Sequence, residues 1–391
     1  MWKLVTLLIT LMILGGCTLV APAPAEPASA PTVQYKNPDL PSAIPTPFPV
    51  AEDVSNSLMD PYAPLMGNPG YDAQHYTLDI AIPTDDLNYI EATTTIEAVA
   101  TADLPTFTLV FLGLDTAEIA VNGVPPDSSR NGRELTITPA TPIAAGESFE
   151  VSVTYSGRPE PYNDPQFAYY GPLLTGGWRA WSEGSIAAMS QPSASMVWFP
   201  SNNHPSDKAT YTFRVTVDEP KMAVASGILQ EVVAVDEDTN TYVWQMDQPL
   251  STQVASVMLG EFELEEGVSP AGVKLRSYFT PDLDPAVKEG FSAENLGVVI
   301  DFLAEIYGPY PYEAYGVVTV PGWAEGSGYE TQSIVTYGTA PMSQDLIVHE
   351  ATHQWFGDAI TLKEWKDLWL HEGFATYAQK LWWERVGGIE A

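Results

Sequence analysis

Between about residues 70 and 267 apolar and polar positions alternate with a period of two. Tyr76-Thr77-Leu78-Asp79-Ile80-Ala81-Ile82 is one such run, and residues 149–155 and 211–217 repeat it. Alternation sends successive side chains to opposite faces, so each run predicts a half-buried strand. Polar turns such as Asn122-Gly123 and Asp236-Glu237-Asp238-Thr239-Asn240 separate the runs. Many short strands joined this way predict an antiparallel sandwich or curved sheet. Beyond about Val268 the period lengthens. Residues 285 to 307 carry Phe291, Leu296, Val299, Phe302 and Ile306 at near-helical spacing, which predicts one helix. A short strand over 315–320 and a Gly-rich stretch over 322–328 follow. Two more helices are expected, 343 to about 356 and 365 to about 385, with Gly357 and Gly387-Gly388 as their stops. Ser343 is placed to cap the first, with Asp345 in its first turn. The order, strands then helices, predicts an α+β chain of two domains, 66–267 and 268–391.

The N-terminal part follows neither period. Residues 18 to 65 are rich in proline and alanine, and proline at that density builds neither helix nor sheet ladder, so a semi-extended spacer is expected. Ahead of it, Lys3 precedes an apolar run from Leu4 to Leu14. That run is short for a bilayer span of roughly 20 residues but suits an export signal. Leu14-Gly15-Gly16-Cys17 resembles the lipobox of bacterial lipoproteins. The resemblance implies a signal peptide over 1–17, with Cys17 as the lipid-modified N-terminus of an exported, membrane-tethered protein. Cys17 is the one cysteine in the sequence, so no internal disulfide is available.

Composition sharpens this in one direction. The 391 residues include 50 Asp and Glu against 16 Lys and Arg, a formal net charge of −34. Such a chain repels phosphate backbones, which argues against nucleic acid as a partner. The same field favours cationic ligands, free peptide amino groups among them.

The candidate chemistry lies in the last two helices. His349-Glu350-Ala351-Thr352-His353 is an H-E-x-x-H pattern. Four residues are slightly more than one helical turn, so both imidazoles leave one face about 6 Å apart along the axis. Their nitrogens can then converge on one zinc ion at roughly 2.0–2.1 Å. A catalytic zinc needs a third protein ligand and an open position, and Glu372, with 18 residues between it and His353, is the candidate. A tight connection between the two helices would bring it in. Glu350 lies beside the ligands as the general base, and metal-assisted amide hydrolysis is the expected reaction class. His371 faces about 100° away from Glu372, so it is expected beside the metal shell or on the surface.

These segments resemble the gluzincin aminopeptidases, the family of aminopeptidase N and leukotriene hydrolase. Residues 346–357, from Leu346 through His349-Glu350 to Gly357, carry the resemblance, as do 365–375, through Leu370-His371-Glu372-Gly373. Tyr71-Asp72-Ala73-Gln74-His75-Tyr76 and residues 198–205 resemble parts of that family's β domain. The resemblance implies a saddle-like N-terminal β domain followed by a thermolysin-like, mainly helical zinc-peptidase domain, one Zn2+, and peptide substrates with a free N-terminus. It also implies amine binding by the glutamate of a G-x-M-E-N motif, which maps here onto Ser327-Gly328-Tyr329-Glu330-Thr331 with only Glu330 matching strictly, and it places Gly328 and Tyr329 beside Glu330 in the substrate site. Gln191 corresponds to a β-domain residue that shares the amine. The family places a transition-state tyrosine several tens of residues beyond the third ligand, whereas this chain stops at Ala391. Tyr377 falls where the family has a structural residue. The expectation is a catalytic domain incomplete at its C-terminus that binds zinc but turns over poorly. A thermolysin-type endopeptidase and a catalytically silent peptide-binding lipoprotein are the competing readings.

Overall fold

The computed structural model describes residues 57–83, 85–170, 175–324 and 326–387. The signal segment, Cys17 and most of the spacer lie outside the described residues. Among the described residues, no helix is long and apolar enough to cross a membrane.

The alternating runs build a seven-stranded sheet in the order Ile228–Ala234, Thr239–Ser251, Lys208–Asp218, Tyr71–Ala81, Ile90–Ala100, Ser148–Gly157 and Asp115–Val121. Its inner face stacks Tyr76 on Tyr211 at 4.8 Å between ring centroids and Tyr211 on Phe213 at 5.4 Å. A five-stranded sheet, Met222–Ala225, Ser256–Gly260, Ile186–Met189, Gly176–Ala180 and Pro161–Tyr162, supplies more of the same core. One pairing departs from expectation. Tyr71–Ala81 runs parallel to Lys208–Asp218, with Tyr76 opposite Tyr211, so the large sheet is mixed. More than a hundred residues separate the two strands, and alternation alone carries no direction.

The second half contains more strand than its helical pattern suggests. Glu263–Val268, Lys274–Phe279, Ala314–Thr319, Ile334–Tyr337 and Gly328–Tyr329 form a five-stranded sheet in that order, parallel at its centre. It begins at Glu263, a few residues before the expected boundary at Val268. Tyr278, Val318 and Ile334 join the β-domain core, while Leu275, Val317 and Val335 join a second core under the helices. The strand expected over 315–320 is Ala314–Thr319, whereas Lys274–Phe279 and Ile334–Tyr337, covered on both faces, show no alternation and a two-period reading passes over them.

The helix expected over 285–307 is two helices. Asp284 caps α1, Pro285–Gly290, by accepting from the Ala286 N–H at 2.8 Å, and Ser292 starts α2, Ala293–Tyr307. Helix α3 is Gln344–His353 and α4 is Trp369–Gly387. Ser343 sits at the α3 cap position, but its side chain makes no capping hydrogen bond. The α3–α4 connection is not tight; it runs through residues 354–368 and includes a 3₁₀ turn, Trp365–Asp367. The spacer also ends earlier than residue 65. Asp60, Ala63 and Met66 are buried, in contact with Phe167, Leu362 and Trp365.

Candidate metal centre and active site

Helix α3 brings His349 and His353 together with ring centroids 4.8 Å apart. Glu372, in the first turn of α4, faces them: Oε2 lies 3.3 Å from His349 Nε2 and Oε1 lies 3.8 Å from His353 Nε2. The three donor atoms fall within 4.8 Å of one another. Ligands at 2.0–2.1 Å from a tetrahedral ion stand roughly 3.3–3.4 Å apart, so the Glu372–His349 pair is already at that spacing and the set closes on zinc with side-chain shifts of about an ångström. Two imidazoles and one carboxylate also leave the fourth position open.

The surrounding bonds prepare the ligands. His353 Nδ1–H donates to the Phe356 carbonyl at 3.1 Å, which fixes the tautomer and leaves Nε2 as the free lone pair. That geometry needs Gly357 next door. Its φ is +144°, and an added Cβ would come within 3.3 Å of His353 Nδ1. Burial opposes charge on His349, but the hydrogen bond that it donates to Glu372 and the charges of Glu350, Glu372 and Glu330 together outweigh it and raise the imidazole's pKa. Partial desolvation opposes ionisation of the half-exposed Glu372, and the His349 hydrogen bond together with the charges of His353, His349 and His371 overrides it, holding the carboxyl at about 2. Positive charge is therefore favoured where the three donors meet.

Glu350 is buried, and burial together with the Glu330 charge pushes its carboxyl up to about 8. Gly328 lies directly over it: a Cβ there would sit 2.4 Å from Glu350 Cγ. Glycine at 328 is thus a packing requirement that lets the edge strand approach Glu350. Two residues on, Glu330 is buried and accepts a 2.8 Å hydrogen bond from Gln191 Nε2. The structure so brings together Gln191 and Glu330, which lie far apart in sequence.

Tyr329 behaves differently from its expected part in substrate binding. Its side chain is buried, and its hydroxyl accepts from the Ser190 and Gln191 N–H groups and donates to the Gln253 carbonyl at 2.6 Å. It ties the edge strand to the β domain instead of presenting a side chain to a ligand. Gln354, next to His353, was not singled out by sequence. Its amide accepts from Ser333 N–H at 2.7 Å and donates to the Thr331 carbonyl at 3.3 Å, which anchors the segment after Glu330 on α3. A glutamine following H-E-x-x-H carries no signal of that role without the fold. His371 is buried, and burial and the His353 charge push it down to about 4. Tyr377 is exposed on α4.

The same chain matches two descriptions of one family: the Peptidase M1 N-terminal domain over residues 73–254 and the Peptidase family M1 domain over residues 291–390. The chain belongs to peptidase family M1. The M1 zinc metallopeptidase from Deinococcus radiodurans matches it with a TM-score of 0.76 at 29% identity, over 85% of this chain and 74% of that one. A mutant of that metallopeptidase bound to a Tyr-Ser-Ala substrate matches at 28% identity with the same TM-score, over 85% of this chain and 75% of that one. Aminopeptidase B of Rattus norvegicus is 27% identical over 260 residues, which cover 64% of this M1 chain and 37% of the relative. Aminopeptidase N of Oryctolagus cuniculus is 28% identical over 263 residues, covering 61% and 26% respectively. The M1 chain thus spans well under half the length of these curated relatives.

Proposed function

We propose that this M1 chain carries the metal-binding and amine-binding parts of a zinc aminopeptidase acting on peptides with a free N-terminus. The observation that supports this reading is the juxtaposition of two groups. His349, His353 and Glu372 converge beside Glu350, and the edge strand that packs on Glu350 leads directly into the Glu330–Gln191 pair.

When bound, zinc polarises the scissile carbonyl and lowers the pKa of water to about 7. The remaining work falls to side chains. Glu330, oriented by Gln191, offers a carboxylate to the protonated α-amino group and sets the distance from the N-terminus to the reacting peptide bond. Glu350 accepts a proton as the water oxygen adds to the carbonyl carbon. It returns that proton to the leaving nitrogen as the C–N bond breaks. Burial and the Glu330 charge raise the basicity of the Glu350 carboxylate above that of an exposed one, which suits it to proton transfer nearer neutral pH.

The test uses free and N-acetylated aminoacyl reporter amides. Glu350→Gln should keep bound zinc and lose about 10²–10⁴ in kcat. Glu330→Ala should raise KM for the free amine and leave the acetylated substrate unaffected. Acetylated substrate cleaved as readily as free by the unaltered chain would favour a thermolysin-type endopeptidase. Zinc bound without any turnover would favour the silent peptide-binding lipoprotein.

We also propose export and tethering through Cys17, on the strength of the apolar run and Leu14-Gly15-Gly16-Cys17. Cys17→Ala should move the protein from the membrane to the soluble fraction, and an unchanged partition would end that reading.

A further inference from the structure

The segment just ahead of the β domain is not inert. Residues 57–68 form a strap held at three points. Leu65 N–H donates to Gln166 Oε1 at 2.7 Å, Asn68 N–H donates to Asn202 Oδ1, and Asp60 is buried at the centre. Asp60 Oδ1 accepts from the Tyr62 and Ala63 N–H groups, which closes a local turn. Asp60 Oδ2 reaches outward. It accepts from the Trp365 N–H at 2.7 Å, across 305 residues of sequence, and lies 3.3 Å from His204 Nε2. His204 Nδ1 accepts from Ser206 N–H, so the ring proton is on Nε2 and is donated to Asp60. Burial opposes the Asp60 carboxylate, yet these hydrogen bonds hold its pKa below the usual value.

Trp365 opens the turn that leads into α4. Its carbonyl accepts from Leu368 N–H at 3.2 Å, and the Leu368 carbonyl accepts from the Glu372 N–H at 3.4 Å. A continuous line of hydrogen bonds therefore runs from Asp60 to the backbone of the third metal ligand, through about two helical turns. The same connection is gripped elsewhere from the β domain. Lys208 Nζ donates to the Asp358 and Ala359 carbonyls at 2.6 and 3.2 Å, and Phe167 packs edge-on against Trp365 at 4.7 Å. Ala63 and Met66 of the strap bury against Leu362 and Trp365.

We propose that Asp60 is a positioning residue for the metal centre: the strap fixes the start of α4, and with it the reach of Glu372 toward His349 and His353. The inference rests on the zinc reading above. It makes metal affinity depend on a segment that the Pro-rich sequence offers only as spacer. His349 and His353 are set by α3 itself and do not need the strap, so weakening it should loosen one ligand of the three.

The experiment measures zinc affinity of the 391-residue chain by chelator competition, and the visible spectrum of the cobalt-substituted form, in Asp60→Ala and Asp60→Asn. Asp60→Ala should weaken zinc by about tenfold, the low end of what supporting residues around a metal contribute, and should alter the cobalt bands. Asp60→Asn keeps one acceptor oxygen and should fall between Ala and the unaltered chain. Affinity within twofold of the unaltered chain in both variants, with or without a lower Tm, would overturn the positioning role and leave the strap at most a stabilising one. Should Asp60→Ala fail to fold, the Asn variant decides alone. An unaltered chain that binds no zinc, like His353→Ala, would remove the metal reading and this inference together.

Discussion

Helices α3 and α4 both donate to the candidate metal centre, but they are held very differently. In α3, Ile347, Val348, Glu350, Ala351, Thr352 and His353 are all buried, between the five-stranded sheet on one side and α2 and α4 on the others. In α4 only His371, Ala375, Ala378 and Trp382 are buried, while Trp369, Tyr377 and Val386 are more than half exposed. The ligands follow their helices. The His353 side chain is 2% exposed and His349 16%, whereas Glu372 is 52% exposed. Two ligands come from a packed element, and the third depends on where one end of a half-packed helix is fixed. The difference teaches that this centre is preorganised unevenly.

Removing zinc should expose this contrast most strongly. A ligand at about 100 times its Kd stabilises the form that binds it by ~2.7 kcal/mol. Chelation should therefore speed amide exchange in the first turns of α4 far more than in α3. Equal acceleration in both helices would break the comparison.

Within α4, the buried and exposed faces can be set against each other. Trp382 is 3% exposed and meets Phe302 edge-on at 5.1 Å, while Trp383, its neighbour, is 39% exposed under the Lys380 ammonium. Trp382→Ala should cost about 3–5 kcal/mol by urea unfolding. Trp383→Ala should cost at most about 1 kcal/mol, the worth of an exposed cation–π contact. Similar costs would mean that α4 is not one-sided.

A separate effect comes from the β domain and should be independent of metal. Asp207 is buried there, bonded by Asn202 and by the Ala73 N–H at 3.2 Å, and burial pushes its carboxyl up to about 7. Between roughly pH 4, where the unfolded side chain ionises, and pH 7, the folded state holds a proton that the unfolded state has lost. Stability from this group therefore falls as pH rises through that window. Asp207→Asn should flatten the decline in Tm between about pH 4 and 7. An unchanged slope would place the pH response elsewhere.

How much of this was legible in sequence depends on the range of the interaction. His349, Glu350 and His353 lie within one helical turn and the next, so spacing alone placed them together, and Glu372 followed from the needs of a zinc ion. The alternating strands were legible because one face is buried and the other is not. Lys274–Phe279 and Ile334–Tyr337 were not, because both of their faces are covered. The parallel partner of Tyr71–Ala81 was hidden by distance along the chain. Tyr329 looked like a ligand-binding position because it lies in the Gly328–Glu330 stretch, and only the fold shows its hydroxyl occupied by Ser190, Gln191 and Gln253. Asp60 was hidden for another reason. Its neighbours read as proline-rich spacer, and its partner is 305 residues away.

Anomalous diffraction at the zinc edge, from crystals of the zinc-loaded chain, is the most direct test. One peak per chain is expected, about 2.0–2.1 Å from His349 Nε2, His353 Nε2 and a Glu372 oxygen, with Glu350 beside it and not bonded to it. No peak at this position, or a metal held without Glu372, would contradict the assignment of the centre.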